Sequence, residues 1–457
     1  MGARLALESS AARLVGRLSR AAGRGGGTTL PGKLVWKLDP RALNLLAGRL
    51  PQGVVLVSAT NGKTTTTAIA SSILGSAYRL AWNNSGANLA SGVTSTLLAA
   101  DGAELGLLEV DEFALPEMMR RTRPRAVCLG NLFRDQLDRY GELEHIAERW
   151  RDAVAELPPE TTLVANADDP LVGTLPEGRE RVILFGVDDP RRARPVLQHA
   201  SDSKYCVRCG HPYRYDAAYV AHLGAYRCEM CGHARPALDV AAREIEPDGL
   251  DGVSFVLHAP SGSARVRLAV PGLYNVYNAL AAASLALSLG IALDDVAAGI
   301  GRFSAAFGRF ERFAVPDRSV LLVLIKNPAG ANEAIRTLED GGVPPTLVVA
   351  LNDRIADGRD VSWIWDVDFE PLLERTDRIV VSGERAAELA LRFTYAGFPL
   401  ERLELVAGLE DALDRGLELT PAGGELAVLP TYTAMLELRA IATTRGLTRP
   451  YWEDDDA

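Results

Sequence analysis

The stretch Ser58-Ala59-Thr60-Asn61-Gly62-Lys63-Thr64-Thr65 lies between two segments of different character. It follows the apolar run Val54–Val57, which predicts a buried strand, and it precedes Ala68–Leu74, which predicts a helix. A strand, a glycine-bearing turn and a helix N-terminus together bind phosphate, because backbone N–H groups and the helix dipole point at the anion. The stretch therefore predicts an α/β fold that binds a nucleoside triphosphate.

Two side chains of this loop strengthen the prediction. Lys63 supplies a positive charge for the β- and γ-phosphates, and the Thr64 hydroxyl can ligate Mg²⁺. The segment Gly62-Lys63-Thr64 agrees with the usual phosphate-binding loop, but the first glycine of that pattern is missing. An ordinary strand–turn–helix with a chance Gly-Lys-Thr is therefore the alternative.

The composition indicates a globular protein with several domains. Its 457 residues predict two or three domains, and 47% hydrophobic with 24% charged residues is typical of globular chains. The net charge of -10 argues against bulk binding of nucleic acid. No apolar run approaches the roughly 20 residues of a membrane span, and arginines interrupt the N-terminal apolar runs as they would not in a secretory signal. We therefore expect a cytoplasmic protein.

The first 50 residues differ from the rest in charge. They carry nine lysines and arginines against Glu8 and Asp39, a net charge of +7. Leu5, Leu14 and Leu18 recur near helical spacing among the arginines, so a basic amphipathic helix could lie on the inner face of the cell membrane. The alternative is a helix that packs on the protein with its arginines in solvent.

Short apolar runs recur along the chain and predict the strands of two α/β units. The pattern of strands alternating with helical stretches favours mostly parallel sheets with helices on both faces. The predicted strands are Val54–Val57, Leu105–Val110, Ala126–Leu129, Thr162–Ala165, Val253–Leu257, Ala264–Val270, Leu321–Ile325, Thr346–Ala350, Arg378–Val381 and Leu426–Leu429. A long helix is predicted over Val276–Leu289, and a polar insert over residues 201–237 interrupts the first unit.

Four of the five cysteines lie in this insert, in two Cys-x-x-Cys-Gly motifs. They are Cys206, Cys209, Cys228 and Cys231. Two such motifs supply a tetrahedral thiolate site for zinc, with the glycines allowing the tight turns beneath the metal. Two disulfides are the alternative, which a reducing cytosol disfavours. Four protein ligands leave no open coordination position, so we expect a structural metal.

The fifth cysteine, Cys128, lies inside an apolar strand and is expected in the core. Hydrolysis of glutamine by a cysteine nucleophile needs an activated thiolate. No cysteine of this chain has that setting. If this chain uses ammonia released from glutamine, another polypeptide must therefore hydrolyse the glutamine.

Further polar residues follow predicted strands or begin helices. Glu109 ends a strand, about where an α/β fold binds ligands, and could hold Mg²⁺ opposite Thr64. Asn275 and Asn278 share one face of a helix start; Asn275 would serve as an N-cap, whereas Asn278 is better explained by a ligand. Arg309 adds a cation at the expected domain junction. The alternatives are an acidic turn at Glu109 and an ordinary surface arginine at Arg309.

These motifs occur in the order seen in the Mur ligase family, which the chain resembles. The shared motifs are Thr60–Thr65, the Glu109 strand, Asn131 with Asp135-Gln136-Leu-Asp138, Asn275-x-x-Asn278 and Gly308-Arg309. Mur ligases phosphorylate a carboxylate with ATP and let an amine attack the acyl phosphate, and the folylpolyglutamate synthases share their fold and chemistry. The resemblance implies a central ATPase domain and a C-terminal Rossmann-like α/β domain.

Other segments resemble the MurT family, the synthetase subunits of lipid II isoglutaminyl synthase. They are the four-cysteine insert, residues 83–88, 133–136, 326–332 and 351–366, and Pro430-Thr431-Tyr432-Thr433. This resemblance implies ATP-dependent amidation of the D-glutamate α-carboxylate in the stem peptide of lipid II, within peptidoglycan synthesis. It also implies a separate glutaminase subunit, GatD, as the source of ammonia. The aspartate of Asp357-Gly358-Arg359-Asp360 that would serve the glutaminase is, by position, Asp360.

The resemblance assigns domains and site residues. The expected domains are a basic N-terminal segment over 1–50, an ATPase domain over 51–312 with the zinc insert at about 201–237, and a C-terminal domain over 313–457. The expected ATP-binding residues are Thr60, Asn61, Gly62, Lys63, Thr64, Thr65, Asn278 and Arg309, with Thr64 and Glu109 holding Mg²⁺. Lys63 and Asp360 are the expected catalytic residues, Asn84, Asn88 and Asp135 the candidate substrate contacts, and Cys206, Cys209, Cys228 and Cys231 the zinc ligands.

The chain departs from the wider Mur pattern at several points. Ala59 replaces a glycine, and Gln136 replaces a histidine that helps a second metal in many members. No lysine can be matched to the carbamylated lysine of many Mur ligases, so a second Mg²⁺ site is in doubt. Only 50 residues precede the first strand, which leaves no room for a UDP-binding domain and favours a lipid-linked substrate. The rival interpretations are another Mur-type or folylpolyglutamate-type amide ligase and a non-enzymatic zinc scaffold that presents Asp360.

Overall fold

The computed structural model describes residues 30–39, 41–83, 87–134, 143–194, 197–198, 201–303 and 309–448. Within these ranges, no helix combines the length and the apolar character that a membrane crossing requires. The basic helix predicted around Leu5–Leu18 and the candidate substrate residues Asn84 and Asp135 lie outside the described residues.

The larger sheet of the described chain holds nine strands, in the order β11-β10-β9-β6-β5-β4-β1-β3-β2. Its strands are β1 (Val54–Ser58), β2 (Leu80–Trp82), β3 (Leu105–Glu109), β4 (Ala126–Leu129), β5 (Thr162–Asn166), β6 (Val182–Val187), β9 (Val240–Asp248), β10 (Gly252–Ala259) and β11 (Gly262–Leu268). Strands β1 to β6 and β9 pair in parallel, and β10 pairs antiparallel with both β9 and β11. The apolar runs predicted as strands are confirmed.

The strand order fixes where a ligand can bind. From β1 the chain passes to β2 and then β3 on one side of β1 and crosses to β4 on the other, so the connections diverge at the carboxyl end of β1. Ligands of open α/β sheets bind in the crevice at such a switch point. Val57 pairs with Glu109 of β3 and Ser58 with Leu129 of β4, so three strand ends meet there.

Helices cover both faces of this sheet. They are α1 (Leu30–Leu38), α2 (Ala42–Ala47), α3 (Lys63–Leu74), α4 (Ala90–Ala99), α5 (Leu115–Thr122), α6 (Leu143–Ala155), α7 (Leu273–Ser288) and α8 (Leu293–Arg302). Because side chains alternate along a strand, Val55 and Val57 pack with α3 and α7, whereas Val54 and Leu56 pack on the opposite face. All five residues of β1 are buried, which explains its continuous apolar run.

Helices α1 and α2 pack onto the domain of the nine-stranded sheet instead of extending away from it. Gly32 lies so close to α4 that its backbone N–H donates to Ser95 Oγ at 2.8 Å, and the Arg121 guanidinium lies 5.0 Å from the centre of the Trp36 ring. Val35 and Leu43 are buried in the same core. Residues 30–50 are therefore part of the domain that carries the phosphate loop.

The second sheet has the order β12-β13-β17-β14-β15-β16. Its strands are β12 (Arg309–Val315), β13 (Arg318–Val323), β14 (Thr346–Ala350), β15 (Arg378–Ser382), β16 (Leu403–Leu405) and β17 (Glu425–Pro430). Its helices are α9 (Pro328–Gly341), α10 (Glu370–Glu374), α11 (Ala386–Tyr395), α12 (Leu409–Leu419) and α13 (Tyr432–Thr444). All pairs are parallel except β12 with β13. The predicted second α/β unit is thereby confirmed.

Candidate active site

The phosphate loop connects β1 to α3, which begins at Lys63, five residues earlier than the apolar pattern alone predicts. Gly62 precedes the helix with φ +87°, a left-handed conformation that favours glycine. The neighbouring strand end holds the loop: Asn61 N–H donates to Asn131 Oδ1 at 2.9 Å, and Asn131 Nδ2 donates to the Asn61 carbonyl at 3.0 Å. The loop is therefore preorganised by the turn that follows β4.

Replacing Gly62 by alanine is expected to disturb this loop in two ways. The left-handed backbone costs a non-glycine residue about 1–3 kcal/mol, and an added Cβ would lie 2.0 Å from Asn278 Oδ1. We expect Gly62→Ala to lower the free energy of unfolding and to weaken ATP binding, measured by urea denaturation and by titration with a fluorescent ATP analogue.

Gly102→Ala is the matched control for this change. Gly102 has φ +76° with no atom within 4 Å of an added Cβ, so it carries the backbone strain without the clash. Gly102→Ala should lose some stability and keep its ATP affinity. Equal ATP affinity in both variants would contradict a role for the Gly62–Asn278 contact.

Lys63 is buried, and its ammonium group is fully engaged. Nζ donates to the carbonyls of Ala59 and Thr60 and lies 2.7 Å from Glu112 Oε2. Burial opposes the lysine charge, but the carboxylates of Glu112, Glu109 and Asp111 together outweigh it, so the pKa of Lys63 lies above its ordinary value. Lys63 is therefore held as a cation beside the loop, ready to exchange its carboxylate partner for phosphate oxygens.

Glu109 is fixed by the loop that follows β2. Asn83 clasps the backbone of Glu109 from both sides, accepting from its N–H and donating to its carbonyl, each at 2.8 Å. Asn88 Nδ2 donates to Glu109 Oε1 at 3.0 Å. The other oxygen, Oε2, is buried without a hydrogen-bond partner among the described residues.

A magnesium ion would explain this lone carboxylate oxygen. Glu109 is 2% exposed, and a buried ionised oxygen without a partner is costly unless a cation or donor satisfies it. Hard carboxylate and hydroxyl oxygens are the ligands that Mg²⁺ prefers. Glu109 and the half-buried Thr64 thus fit a magnesium site, where the ion would neutralise phosphate charge.

In Glu109→Gln, the side-chain amide oxygen can still accept the hydrogen bond from Asn88, but the negative charge that would face Mg²⁺ is lost. We expect the rate of ATP-dependent product formation to fall by about 10² and the Mg²⁺ concentration for half-maximal rate to rise. Both are measured by titrating Mg²⁺ at saturating ATP. Glu117→Gln, which changes a surface partner of Arg121, is the control and should leave both values unchanged. An unaltered Mg²⁺ requirement in Glu109→Gln would remove Glu109 from the magnesium site.

A cavity of about 90 Å³ lies beside the loop, between the two sheets. The first domain contributes Asn61, Gly62, Asn131, Phe133, Val220, Leu223, Tyr274, Tyr277 and Asn278, and the second contributes Phe310, Val323, Leu324, Lys326, Ala329, Gly330, Glu333 and Ala334. Apolar and aromatic walls with a few amides suit a nucleoside base. Asn278, the residue expected to hold adenine, lies in this wall and donates to Asn275 Oδ1 at 3.0 Å.

The second domain reaches the phosphate loop directly. Asn327, the N-cap of α9, exchanges side-chain hydrogen bonds with Asn61 at 2.9 and 3.3 Å. On the other side of the crevice, Arg134 NH1 lies 3.4 Å from Asp366 Oδ2. The two domains are thus in contact at the phosphate loop and also at the segment that follows Asp360.

The four cysteines of the insert converge at one point. Their sulfur atoms lie within 4.8 Å of one another, and Cys206–Cys231 and Cys209–Cys228 are each separated by 3.5 Å. A disulfide would require about 2 Å, whereas four sulfurs around zinc at about 2.3 Å lie about 3.8 Å apart. Gly210 and Gly232, at φ +73° and +74°, turn the chain beneath the cluster. The thiolate set therefore fits tetrahedral zinc.

Other expected site residues are distributed as follows. Asp360 is exposed in the second domain, and its carboxylate accepts from Ser362 N–H at 2.9 Å. Arg309 begins β12, but its side chain, like Gly308, lies outside the described part of the chain. Asn88 contacts Glu109, and its role toward substrate stays a prediction.

Three residues that shape the site received no role in the sequence analysis. Glu112 pairs with Lys63, Asn83 clasps Glu109, and His222, in the cysteine insert, packs its ring 4.8 Å from that of Phe133. The one sequence feature that could have identified Glu112 is its position three residues after Glu109, an expected magnesium ligand. Nothing local distinguishes Asn83 or His222.

Comparison with known proteins agrees with this geometry. Residues 57–286 match the Mur ligase middle domain, and residues 324–435 match the MurT ligase C-terminal domain. The lipid II isoglutaminyl synthase (glutamine-hydrolyzing) subunit MurT of Streptococcus pneumoniae is 36% identical over 93% of this chain and 94% of its own. The subunit of the same name from Staphylococcus aureus (strain N315) is 33% identical over 84% and 86%.

Solved structures share the fold. A pseudomurein peptide ligase type C from Methanothermus fervidus superposes with a TM-score of 0.69 at 21% identity, covering 88% of this chain and 80% of its own. The MurF ligase of Thermotoga maritima in complex with ADP gives 0.63 at 16% identity, covering 90% and 82%. With the sequence relatives matched over nearly their whole length, the chain belongs to the MurT family of Mur ligases.

Proposed function

We propose that this chain amidates the D-glutamate α-carboxylate in the stem peptide of lipid II, giving D-isoglutamine, with ATP as the energy source. The observation that carries the proposal is the phosphate loop with Lys63 and the lone Glu109 oxygen at adjoining strand ends. This arrangement suits the binding of ATP with Mg²⁺, which the activation of a carboxylate requires, and the relatives named above are subunits of lipid II isoglutaminyl synthase.

The reaction would proceed through an acyl phosphate. A substrate carboxylate oxygen attacks the γ-phosphorus and ADP leaves; ammonia then attacks the acyl carbon, phosphate leaves, and the nitrogen loses a proton. Lys63 and the loop N–H groups would hold the phosphates, and Thr64 and Glu109 would hold Mg²⁺, so catalysis would rest on positioning and charge neutralisation. Asn278 would contact adenine and Arg309 the transferred charge, with Asn84, Asn88 and Asp135 toward the peptide.

A separate subunit would supply the ammonia. Cys128 is buried, and burial raises its pKa to about 12, so its thiol is not a nucleophile at neutral pH. The remaining cysteines form the metal cluster. We infer a GatD-type glutaminase as partner, with lipid II as a membrane-linked substrate at the inner face of the cell membrane.

Asp360 would complete the active site of that glutaminase. It is exposed, and further along the same segment the Trp365 ring lies edge-to-face with that of Tyr395, with ring centres 5.6 Å apart and both rings exposed. Exposed aromatic residues in the same domain as an exposed carboxylate suit a protein interface. The partner would thus dock on the second domain with Asp360 reaching its catalytic residues.

The test is incubation of the purified chain with lipid II, ATP, Mg²⁺ and ammonium chloride, followed by mass spectrometry. The expected product has a mass decreased by the exchange of a hydroxyl for an amino group, with one ADP formed per amide. Folate and UDP-linked precursors are the alternative substrates. Amidation of either in place of lipid II would identify a different amide ligase and overturn the proposal.

A further inference from the structure

The cysteine insert reaches from its metal cluster into the ATPase domain. Strands β7 (Arg214–Val220) and β8 (Leu223–Arg227) form an antiparallel hairpin, and the four cysteines lie beyond its open end. The tip, Val220 to Leu223, is at most 4% exposed, although hairpin tips usually lie in solvent. The insert is therefore built into the domain.

The buried tip forms part of the wall of the cavity beside the phosphate loop. Val220 and Leu223 line this cavity together with Asn61, Gly62 and Asn278. If the cavity receives the nucleoside, as the proposed function requires, the hairpin contacts ATP or lies directly behind it.

A second set of contacts links the tip to the loop. The His222 ring packs on Phe133, and its Nε2 lies 3.5 Å from Asp169 Oδ2. Phe133 N–H donates to Thr60 Oγ1 in the phosphate loop at 3.1 Å, and Asp169 Oδ2 accepts from Leu132 N–H at 2.8 Å. The tip therefore supports the strand-end segment that holds the loop.

The metal end of the hairpin is tied to the same region. Arg235 follows the second cysteine motif and donates to Asp168 Oδ1 at 2.9 Å. Asp168 Oδ2 accepts from Tyr277 Oη at 2.5 Å, and Tyr277 lines the cavity. Gly224 of β8 also donates to the Asp168 carbonyl at 2.9 Å. Hydrogen bonds through Asp168 thus connect the metal end of the hairpin to Tyr277 in the cavity wall.

We propose that the metal held by Cys206, Cys209, Cys228 and Cys231 organises this hairpin as a wall of the nucleotide pocket, so that metal and nucleotide stabilise each other's binding. This inference rests on the proposed ATP site. Coupling between two binding sites is reciprocal: if the metal tightens nucleotide binding, nucleotide must tighten metal binding by the same factor. A zinc cluster that only stabilised the insert would show no such coupling.

Zinc release gives the test. The zinc-loaded chain is mixed with excess colorimetric chelator, with or without ADP and Mg²⁺, and release is followed by absorbance. We expect zinc-free protein to bind a fluorescent ADP analogue about tenfold more weakly, and ADP to raise the affinity for zinc by the same factor when protein and chelator compete at equilibrium. Release should also be slower with ADP than without it. Lys63→Ala, at the same ADP concentration, should show no protection, which excludes chelation of zinc by ADP itself.

A variant at the tip separates coupling from folding of the cluster. Leu223→Ala keeps all four cysteines and replaces a large side chain of the cavity wall by a small one. It should therefore retain zinc, while the ratio of the zinc release rates without and with ADP falls toward one. Arg227→Ala, at the exposed outer end of β8, is the control and should keep full protection. Because release is measured on folded, zinc-loaded protein, unfolding of the zinc-free form does not affect this comparison.

The outcomes distinguish this inference from the proposed function. ADP binding with unchanged zinc release would overturn the coupling and leave the ATP site standing. Failure of the chain to bind ADP at all would overturn the ATP site and the coupling together. Equal protection in Leu223→Ala and in the unsubstituted chain would show that the tip does not carry the coupling.

Discussion

Lys63→Ala is expected to lose ATP-dependent amidation by about 10³ or more, because it removes the cation that we propose holds the transferred phosphate. Lys63 Nζ lies at the start of α3, beside the carbonyls of Ala59 and Thr60, within the phosphate loop. The measurement is amide formed on lipid II with ammonium chloride as nitrogen donor. This choice makes the result independent of any glutaminase.

The same change has a structural cost that must be separated from the catalytic one. The Glu112 side chain is 5% exposed and lies 2.7 Å from Lys63 Nζ. Removing one member of a buried ion pair costs about 3–5 kcal/mol, because the other charge is left without a partner. Lys63→Ala is therefore expected to be less stable as well as inactive.

The double variant Lys63→Met/Glu112→Gln distinguishes the two effects. It removes both charges while keeping two side chains of similar volume, so most of the lost free energy of unfolding should return. Amidation should remain absent, since no cation faces the phosphates. Amidation restored along with stability would show that Lys63 acts only through the ion pair, and would favour the rival interpretation of a non-enzymatic scaffold.

The sequence was sufficient to predict the features whose signals are local. Apolar runs such as Ala126–Leu129 and Thr346–Ala350 coincide with strands residue for residue, because a strand buried on both faces needs an unbroken apolar run. The two Cys-x-x-Cys-Gly motifs predicted a cluster because each motif brings its own two sulfurs together. The Gly62-Lys63-Thr64 turn is likewise specified by consecutive residues.

The remaining features depend on contacts between distant segments. Strand β2 is three residues long, too short for a periodic pattern. The clasp of Asn83 on Glu109 depends on the pairing of β2 with β3, and the Asn61–Asn327 bonds join residues of different domains. The helix start at Lys63 was placed too late because threonines follow it, and threonine has a weak helix preference that tertiary packing overrides.

The segment around Asp360 shows how such distant contacts position a predicted residue. Asp357 is buried, and its carboxylate accepts from the backbone N–H of Thr433 at 2.8 Å and from its hydroxyl. Asn352 Nδ2 also donates to Thr433 Oγ1, at 3.0 Å. The Pro430–Thr433 turn thus anchors the base of the segment, which leaves Asp360 exposed on a fixed backbone.

Asp360→Asn is expected to separate the two sources of nitrogen. Amidation driven by glutamine and the glutaminase should fall by about 10²–10⁴, the range seen when a carboxylate that orients a catalytic histidine loses its charge. Amidation driven by ammonium chloride should be unchanged, because Asp360 lies outside the set of residues that lines the nucleotide cavity. Asp377→Asn, an exposed change in the same domain, is the control and should alter neither rate.

The charge of Asp360 also predicts how this effect depends on pH. Hydrogen bonds from Ser362 hold the pKa of Asp360 below its ordinary value of 3.8, so the carboxylate is ionised throughout the neutral range. The ratio of the glutamine-driven rate of the unsubstituted chain to that of Asp360→Asn should therefore stay constant between about pH 6 and 8. Complex formation, measured by size-exclusion chromatography, must persist in the variant, because loss of docking would also remove the glutamine-driven rate. An equal fall in both rates would assign Asp360 to the synthetase reaction, and an intact glutamine-driven rate would exclude it from the glutaminase site.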